Sequence, residues 1–281
     1  MIKLLNGEFH RLLHFKLYFI ECAAVMLFSA YMMFTNYPEH PAVDGFLFRI
    51  MALIGYLSSI YVSQFIGTEY SCGTFRNKMF IGHTRTEIYF TQLILQFFAT
   101  LNLLNISILT VVILGAIRRW QYDFSFATLF YCYLMCVCTI FFITAISVFV
   151  SMLNSSNMAS FIILLTLVLG LQMFGGNFTV KLKEPEIRMP YDYEIAEGQT
   201  EPIKNDLYAS GSERALYEYL VVMNPYAHAN YEFEPMYDRY IEYERSKIME
   251  YPLVKIFLFS AVESTLLILV GISAFNRKQI K

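Results

Sequence analysis

The sequence predicts an all-α membrane protein with six transmembrane helices, and three observations support this fold class. Hydrophobic residues make up 57% of the 281 residues, while Asp, Glu, Lys and Arg together make up only 16%. The mean hydropathy is +0.46, and soluble domains carry about 25% charged residues. The charges also cluster, so that apolar runs of about 20 residues, the length that crosses a bilayer as a helix, fill most of the chain.

Each apolar run is predicted to be helical because a segment in hydrocarbon must satisfy its own backbone hydrogen bonds. The six predicted spans lie at 17–35, 46–66, 90–116, 126–150, 158–177 and 253–275. They divide the chain into four parts: 1–16, then 17–177 with five spans, then 178–252, and finally 253–281 with the last span and a basic tail.

The N-terminal segment, residues 1–16, predicts an amphipathic helix that lies along the membrane surface. Its apolar residues recur at helical spacing and alternate with charged residues and histidines; they are Leu5, Phe9, Leu12 and Leu13. His10 and His14 are four residues apart and could both contact one metal ion. No third ligand lies nearby in the sequence, so interfacial polarity is the favoured interpretation and no metal site is expected.

The distribution of Lys and Arg predicts the orientation of the spans. With the N-terminus inside, the inner segments hold nine basic residues: Lys3, Arg11, Lys16, Arg76, Lys78, Arg85, Arg277, Lys278 and Lys281. The positive-inside rule then predicts a multi-pass protein of the cell membrane with both termini in the cytoplasm. Arg118 and Arg119 are an exception, because they fall in a predicted outer turn.

The segment 178–252 is predicted to lie outside the cytoplasm and is strongly acidic, with fifteen acidic residues against eight basic ones. Two stretches, 212–223 and 237–250, are predicted to be helices. The pair Asn224-Pro225 predicts a turn, because proline disfavours helix at the residue before it. We expect a small folded cap here; a solvated, partly ordered loop is the alternative.

No motif in the sequence predicts catalysis. The phosphate loop G-x-x-x-x-G-K-[ST], the H-E-x-x-H and C-x-x-C patterns and the G-x-S-x-G elbow are all absent from it. We therefore expect no catalytic residue, no metal or cofactor held by this chain alone, and no nucleic-acid partner.

Polar residues inside spans are costly in a bilayer and often functional. Glu263 lies near the middle of the last predicted span, and amides recur in the third and fifth spans at Asn102, Asn105 and Gln172. One interpretation is that these side chains line a translocation path. The other is that they form hydrogen bonds between helices, each contributing about 0.6 kcal/mol.

The predicted inner segment 67–87, between the second and third spans, is long and of mixed charge. It predicts a short amphipathic helix whose Phe75, Met79 and Phe80 face the membrane or the bundle, while its basic residues Arg76, Lys78 and Arg85 project toward the cytoplasm. Two glycines are expected at the points where the chain turns into and out of this helix.

This segment resembles that of the ABC-2 type permeases, the membrane subunits of ATP-driven exporters. The pattern in that family is similar to E-x-x-x-G-T-x-R-N followed by G-x-[ST]-R. The matching residues here are Glu69, Gly73, Thr74, Arg76, Asn77, Gly82, Thr84 and Arg85. The resemblance also covers the amphipathic N-terminal helix, the six spans, the long segment before the last span and the basic tail.

The resemblance implies that the 67–87 segment is a coupling helix on a separate ATPase subunit, which would bind ATP and magnesium. It also implies a second permease chain, either an identical copy or a sister protein, and export of amphipathic or antimicrobial peptides or other hydrophobic substrates. Two other classes stay open. One is a membrane sensor whose segment 178–252 binds a ligand, and the other, less favoured, is an intramembrane enzyme.

Overall fold

The computed structural model describes residues 1–35, 42–188, 201–224, 226–227 and 253–279. In these ranges the chain is mostly helical, and six helices are long and apolar enough to cross a membrane. The predicted all-α membrane fold with six candidate spans is confirmed at this level.

The helices in chain order are α1 (Ile2–Leu13), α2 (Lys16–Thr35), α3 (Asp44–Leu47), α4 (Met51–Ser71), α5 (Thr74–Phe80), α6 (Arg85–Arg118), α7 (Phe126–Leu153), α8 (Asn157–Lys183), α9 (Gly211–Met223) and α10 (Leu253–Arg277). A short strand β1 (Ile187–Arg188) pairs antiparallel with β2 (Ile203–Lys204). The sequence did not predict this strand pair.

Two of the membrane-crossing helices extend well beyond their predicted ends on the side of α5. Helix α4 continues to Ser71, and α6 begins at Arg85 rather than at residue 90. At 34 residues, α6 is about 51 Å long, whereas the hydrocarbon core is about 30 Å thick. A capping box between Thr84 and Glu87 starts α6, so its first turns form from polar residues that a hydropathy pattern leaves out.

Helices α2, α4, α6, α7, α8 and α10 pack into one bundle, in which α4 contacts α7 and α8, α2 contacts α6, and α10 contacts α7. The face of α2 toward α6 carries Tyr18 and Ser29; the Ser29 hydroxyl lies 2.7 Å from that of Ser107. Helices α1 and α5 and the C-terminal end of α10 lie at one end of the bundle, which we call the α5 end. Helices α3 and α9 lie at the opposite end.

Helix α1 buries one side against the bundle and exposes the other. Leu4, Glu8 and Leu12 are buried, whereas Phe9 and Leu13 of the predicted apolar stripe are exposed. An acidic side chain can occupy the buried face here because basic partners surround it, as described below. The helix itself was correctly predicted.

Of the two arginines in the predicted outer turn, Arg118 has structural partners and Arg119 ends a helix. The Arg118 guanidinium donates to the Met33 carbonyl at 2.9 Å and lies 4.2 Å from the centroid of the Phe34 ring, so it binds the last turn of α2. Arg119 adopts a left-handed conformation with φ 57° and ends α6.

In the segment 178–252, helix α9 confirms the prediction for 212–223, while the helix predicted at 237–250 lies outside the described residues. The Asn224 side chain accepts a hydrogen bond from the Tyr226 N–H at 3.0 Å and donates to the Leu171 carbonyl at 2.8 Å. The chain therefore turns at Asn224 and directs Tyr226, which is buried, against α4 and α8 at Gly55 and Val168.

Candidate functional site

Five polar side chains from four helices meet at the α5 end of the bundle. Glu8 and Arg11 come from α1, Glu69 from α4, Lys78 from α5 and Gln92 from α6. We call this group the charge cluster.

Lys78 connects α5 to the other helices of the charge cluster. Its ammonium donates to Glu69 at 2.6 Å and also pairs with Glu8. Arg11 pairs with both acids, reaching Glu8 at 3.1 Å. The Gln92 amide donates to Glu69 at 2.7 Å and to Glu8 at 3.2 Å. Glu69 is thus bonded to side chains from three other helices, and Glu8 to side chains from its own helix and two others.

The charge cluster is buried and balanced. Glu69 is 0% exposed and Glu8 4% exposed, and the two acids face two bases. Burial acts to raise the pKa of Glu8, but the ion pairs with Lys78 and Arg11 outweigh it and hold that pKa below its usual range. Removing one member of such a group leaves an uncompensated charge, which is strongly destabilising.

The cluster continues into the bundle through α6. Gln96 donates to the Gln92 side chain at 3.2 Å, and the Tyr61 hydroxyl of α4 donates to the Gln96 carbonyl at 2.8 Å. On the other side, the Arg11 guanidinium lies 3.7 Å from the Phe65 ring centroid. A displacement of α5 would therefore also change the side-chain contacts of α1, α4 and α6.

Helix α5 is held between two glycines, as the sequence predicted. Gly73 precedes it at φ 65° and Gly82 follows it at φ 102°, both in the left-handed region that favours glycine. Phe75 is buried, with its ring centroid 4.6 Å from that of Tyr70 and 5.9 Å from that of Phe275. One side of α5 is thereby fixed to the bundle.

The other side of α5 is open. Arg76 and Asn77 are exposed there, and Phe80 and Ile81 at its end are 81% and 80% exposed. We call these four residues the α5 surface. It combines an apolar tip with a basic and an amide side chain outside the membrane-crossing helices.

The structure separates the residues predicted to couple to an ATPase into distinct groups. Arg76 and Asn77 lie on the α5 surface, and Gly73, Thr74 and Gly82 shape the turns and the start of the helix. The expected outward projection of Lys78 is wrong, because its ammonium is drawn inward by Glu8 and Glu69.

Glu69 and Arg85 also have internal partners. Glu69 is enclosed in the charge cluster. The expected projection of Arg85 is likewise wrong, because its guanidinium donates to the carbonyls of Phe275 at 2.7 Å and Asn276 at 3.2 Å, at the end of α10. A cation is favourable there because the last carbonyls of a helix have no partner within the helix.

The four side chains predicted to line a path do not converge within one chain. Asn102 donates to the Tyr18 hydroxyl at 2.9 Å, and Asn105 accepts from Tyr133 at 3.1 Å, so the two face different helices. Gln172 accepts from Tyr56 at 2.7 Å and donates to the Ala52 carbonyl at 2.6 Å. Glu263 on α10 is half-buried and shares no hydrogen bond with another described residue.

The roles of Glu8 and Arg11 in the charge cluster were not predicted from the sequence, and neither was the burial of Glu21. Glu8 lies four residues from both Leu4 and Leu12, so its position on the stripe of α1 that faces the protein was visible as a pattern. Glu21 is an acidic residue within the first predicted span, which is itself a signal of function.

Among the residues that the structure describes, no three His, Cys, Asp or Glu side chains are grouped so that they could hold a metal ion. In the charge cluster every charge faces an opposite one, which suits a contact that holds helices together.

No protein-family model matches the chain, and no curated protein matches it either.

Proposed function

We propose that this chain is the permease subunit of an ABC-2 type exporter and that α5 is its coupling helix. The observation that carries the proposal is the two-sided character of α5. One side is locked by the charge cluster to α1, α4 and α6, while the α5 surface is open to a partner. A helix that transmits force between two subunits needs both properties.

The composition of the α5 surface supports a protein partner. Exposed Phe80 and Ile81 would lose water on contact with another protein, and aromatic residues and arginine are enriched in such interfaces. The sequence lacks a phosphate loop, so hydrolysis of ATP belongs to the partner, a separate nucleotide-binding subunit. In this proposal the direct contacts come from Arg76, Asn77, Phe80 and Ile81 rather than from Glu69 and Arg85.

The assembly would contain a second permease chain, identical or related. Asn102 and Asn105 are exposed on α6 in a single chain, and amides that face hydrocarbon without full partners are costly. A second chain, or the pathway between two chains, would cover them. Both termini would lie in the cytoplasm of the cell, and amphipathic peptides are the proposed cargo.

The proposal is tested by purifying the tagged chain from its native membrane and identifying co-purifying proteins by mass spectrometry. A P-loop ATPase is expected in amounts comparable to the chain. The double variant Phe80→Asp/Ile81→Asp should lose it, while Phe126→Asp, an equally exposed residue at the opposite end of the bundle, should retain it. An ATPase that stays with the double variant, or none with the unaltered chain, contradicts the proposal.

A second measurement addresses coupling. In vesicles that contain the chain and its ATPase, Arg76→Glu should uncouple ATP hydrolysis from transport, because the α5 surface would repel the site that binds it. Transport per ATP equal to that of the unaltered chain would contradict this.

A further inference from the structure

Glu21 lies on α2, the first membrane-crossing helix, on the same face as Tyr18 and Val25. It is only 4% exposed. Neither of its carboxyl oxygens has a hydrogen-bond partner among the described residues. The group is therefore a buried acid outside the charge cluster, which the coupling of α5 does not use.

Among the described residues, the titratable groups that interact with Glu21 are Tyr18 and Cys22 on α2 and Tyr61 on α4, none of which carries a positive charge. The hydroxyls of both tyrosines are engaged elsewhere. The Tyr18 hydroxyl donates to the Ala99 carbonyl at 3.2 Å, and the Tyr61 hydroxyl donates to the Gln96 carbonyl at 2.8 Å.

Helix α6 adds only uncharged groups on this side. The Thr100 hydroxyl lies 2.7 Å from that of Tyr61, and the Asn102 amide donates to Tyr18 at 2.9 Å. Lys16 lies five positions before Glu21 on α2, but the two form no ion pair. Arg11 and Lys78 of the charge cluster are paired with Glu8 and Glu69. No described cation therefore lies within ion-pair distance of Glu21.

An ionised carboxylate in these surroundings would be costly. Ionisable side chains within membrane helices are costly, and a buried acid without a partner becomes neutral rather than ionised. We infer that Glu21 is a proton-binding site, occupied while α2, α4 and α6 are packed as they are here. When the helices separate and admit water, the O–H bond breaks, the proton passes to water, and a hydrated carboxylate remains.

The consequence is a conformational equilibrium linked to pH. The packed state holds a proton that the opened state releases, so acid favours the packed state and alkali the opened one. The inference concerns this chain alone and does not rest on the proposed function.

The test uses the purified full chain in lipid vesicles and infrared spectroscopy of the carboxyl C=O stretch. At about pH 7, where a solvated glutamate is ionised, the protonated-carboxyl band of the unaltered chain should exceed that of Glu21→Gln by the absorbance of one carboxyl, since Glu263 on α10 can contribute to the band in both chains. The matched control Glu213→Gln removes an exposed carboxyl on α9 and should leave the band unchanged. An identical band in the chain with Glu21→Gln would overturn the inference.

Thermal unfolding gives a second readout. Glutamine and methionine resemble the neutral acid, so Glu21→Gln and Glu21→Met should both fold and should gain stability relative to the unaltered chain as the pH rises from about 6 to about 9. Parallel pH profiles, or failure of both variants to fold, would overturn the inference.

Discussion

Lys78 on α5 donates to Glu69 near the end of α4, with 2.6 Å between Nζ and Oε2. The two residues are nine positions apart, and the turn at Gly73 brings them together. Because Lys78 also pairs with Glu8, this one ammonium joins α5 to both α4 and α1. The position of α5 thus depends on a buried ionic contact as well as on the packing of Phe75.

Lys78→Met should destabilise the chain strongly, since it leaves Glu8 and Glu69 facing each other with Arg11 as the remaining base. Breaking a buried ion pair costs about 3–5 kcal/mol. Chemical unfolding in detergent micelles measures the loss. Arg76→Met, two positions away on the exposed side, is the control and should change the free energy of unfolding by no more than about 0.5 kcal/mol.

The double variant Glu69→Gln/Lys78→Met separates the ion pair from simple loss of packing. It should recover part of the loss, because one acid then remains to pair with Arg11. Equal stability of Lys78→Met and Arg76→Met would show that the cluster does not hold α5.

Apolar length and turn-forming residues were enough to predict the six long helices and α5, but not the separate short helix α3 at the start of the second span, nor the ends and contacts of the helices. Hydropathy located α6, yet its first turns depend on a capping box between Thr84 and Glu87 that lies outside the apolar run. The glycines at 73 and 82 were correctly placed at turns because a positive φ is a local property of the backbone.

The charge cluster could not be derived in this way, since it depends on which helices are neighbours. In the sequence, Lys78 is indistinguishable from a basic residue exposed to the cytoplasm. Its side chain points into the bundle only because Glu8 from α1 and Glu69 from α4 lie close to it. The periodicity of apolar residues cannot predict such long-range pairs, because it describes each helix separately.

Glu8 gives the cluster an acid-sensitive contribution to stability. Its pKa is held below the usual range in the folded chain, so the stabilisation is present above the unfolded pKa of about 4.3 and is lost as the pH falls through the folded value. The difference in melting temperature between the unaltered chain and Glu8→Gln should therefore be constant near neutral pH and shrink below about pH 4.

Thermal unfolding across this pH range checks the prediction, with Glu213→Gln as the exposed control. The control should differ little from the unaltered chain at every pH. A difference for Glu8→Gln that persists unchanged to about pH 3 would mean that the carboxylate contributes nothing through its charge.

Arg118→Met should weaken the attachment of α6 to the end of α2. The hydrogen bond to the Met33 carbonyl has a charged donor, and such bonds contribute about 1.5–3 kcal/mol; the lower end applies because the guanidinium is only half-buried. Arg119→Met is the matched control, since its side chain is exposed and the left-handed backbone is equally strained with either residue. Equal unfolding free energies for the two variants would contradict a role for Arg118.

Gly55→Ala should displace Tyr226 from its place between α4 and α8. A Cβ at residue 55 would lie 1.5 Å from the Tyr226 hydroxyl oxygen and 3.1 Å from Val168, so the tyrosine must move. Overpacking of this kind costs about 1–3 kcal/mol. Gly170→Ala on α8 is the control, because a Cβ there meets nothing within 4 Å.

Tyr226→Ala identifies the cause of that loss. It is destabilising by itself, but in its presence Gly55→Ala should cost much less, because the clashing ring is gone and only Val168 remains close. Thermal unfolding of the four chains in one detergent gives the coupling between the two sites. Additive effects would mean that Tyr226 does not occupy the space beside Gly55, and that the turn at Asn224 is not anchored to the bundle through this ring.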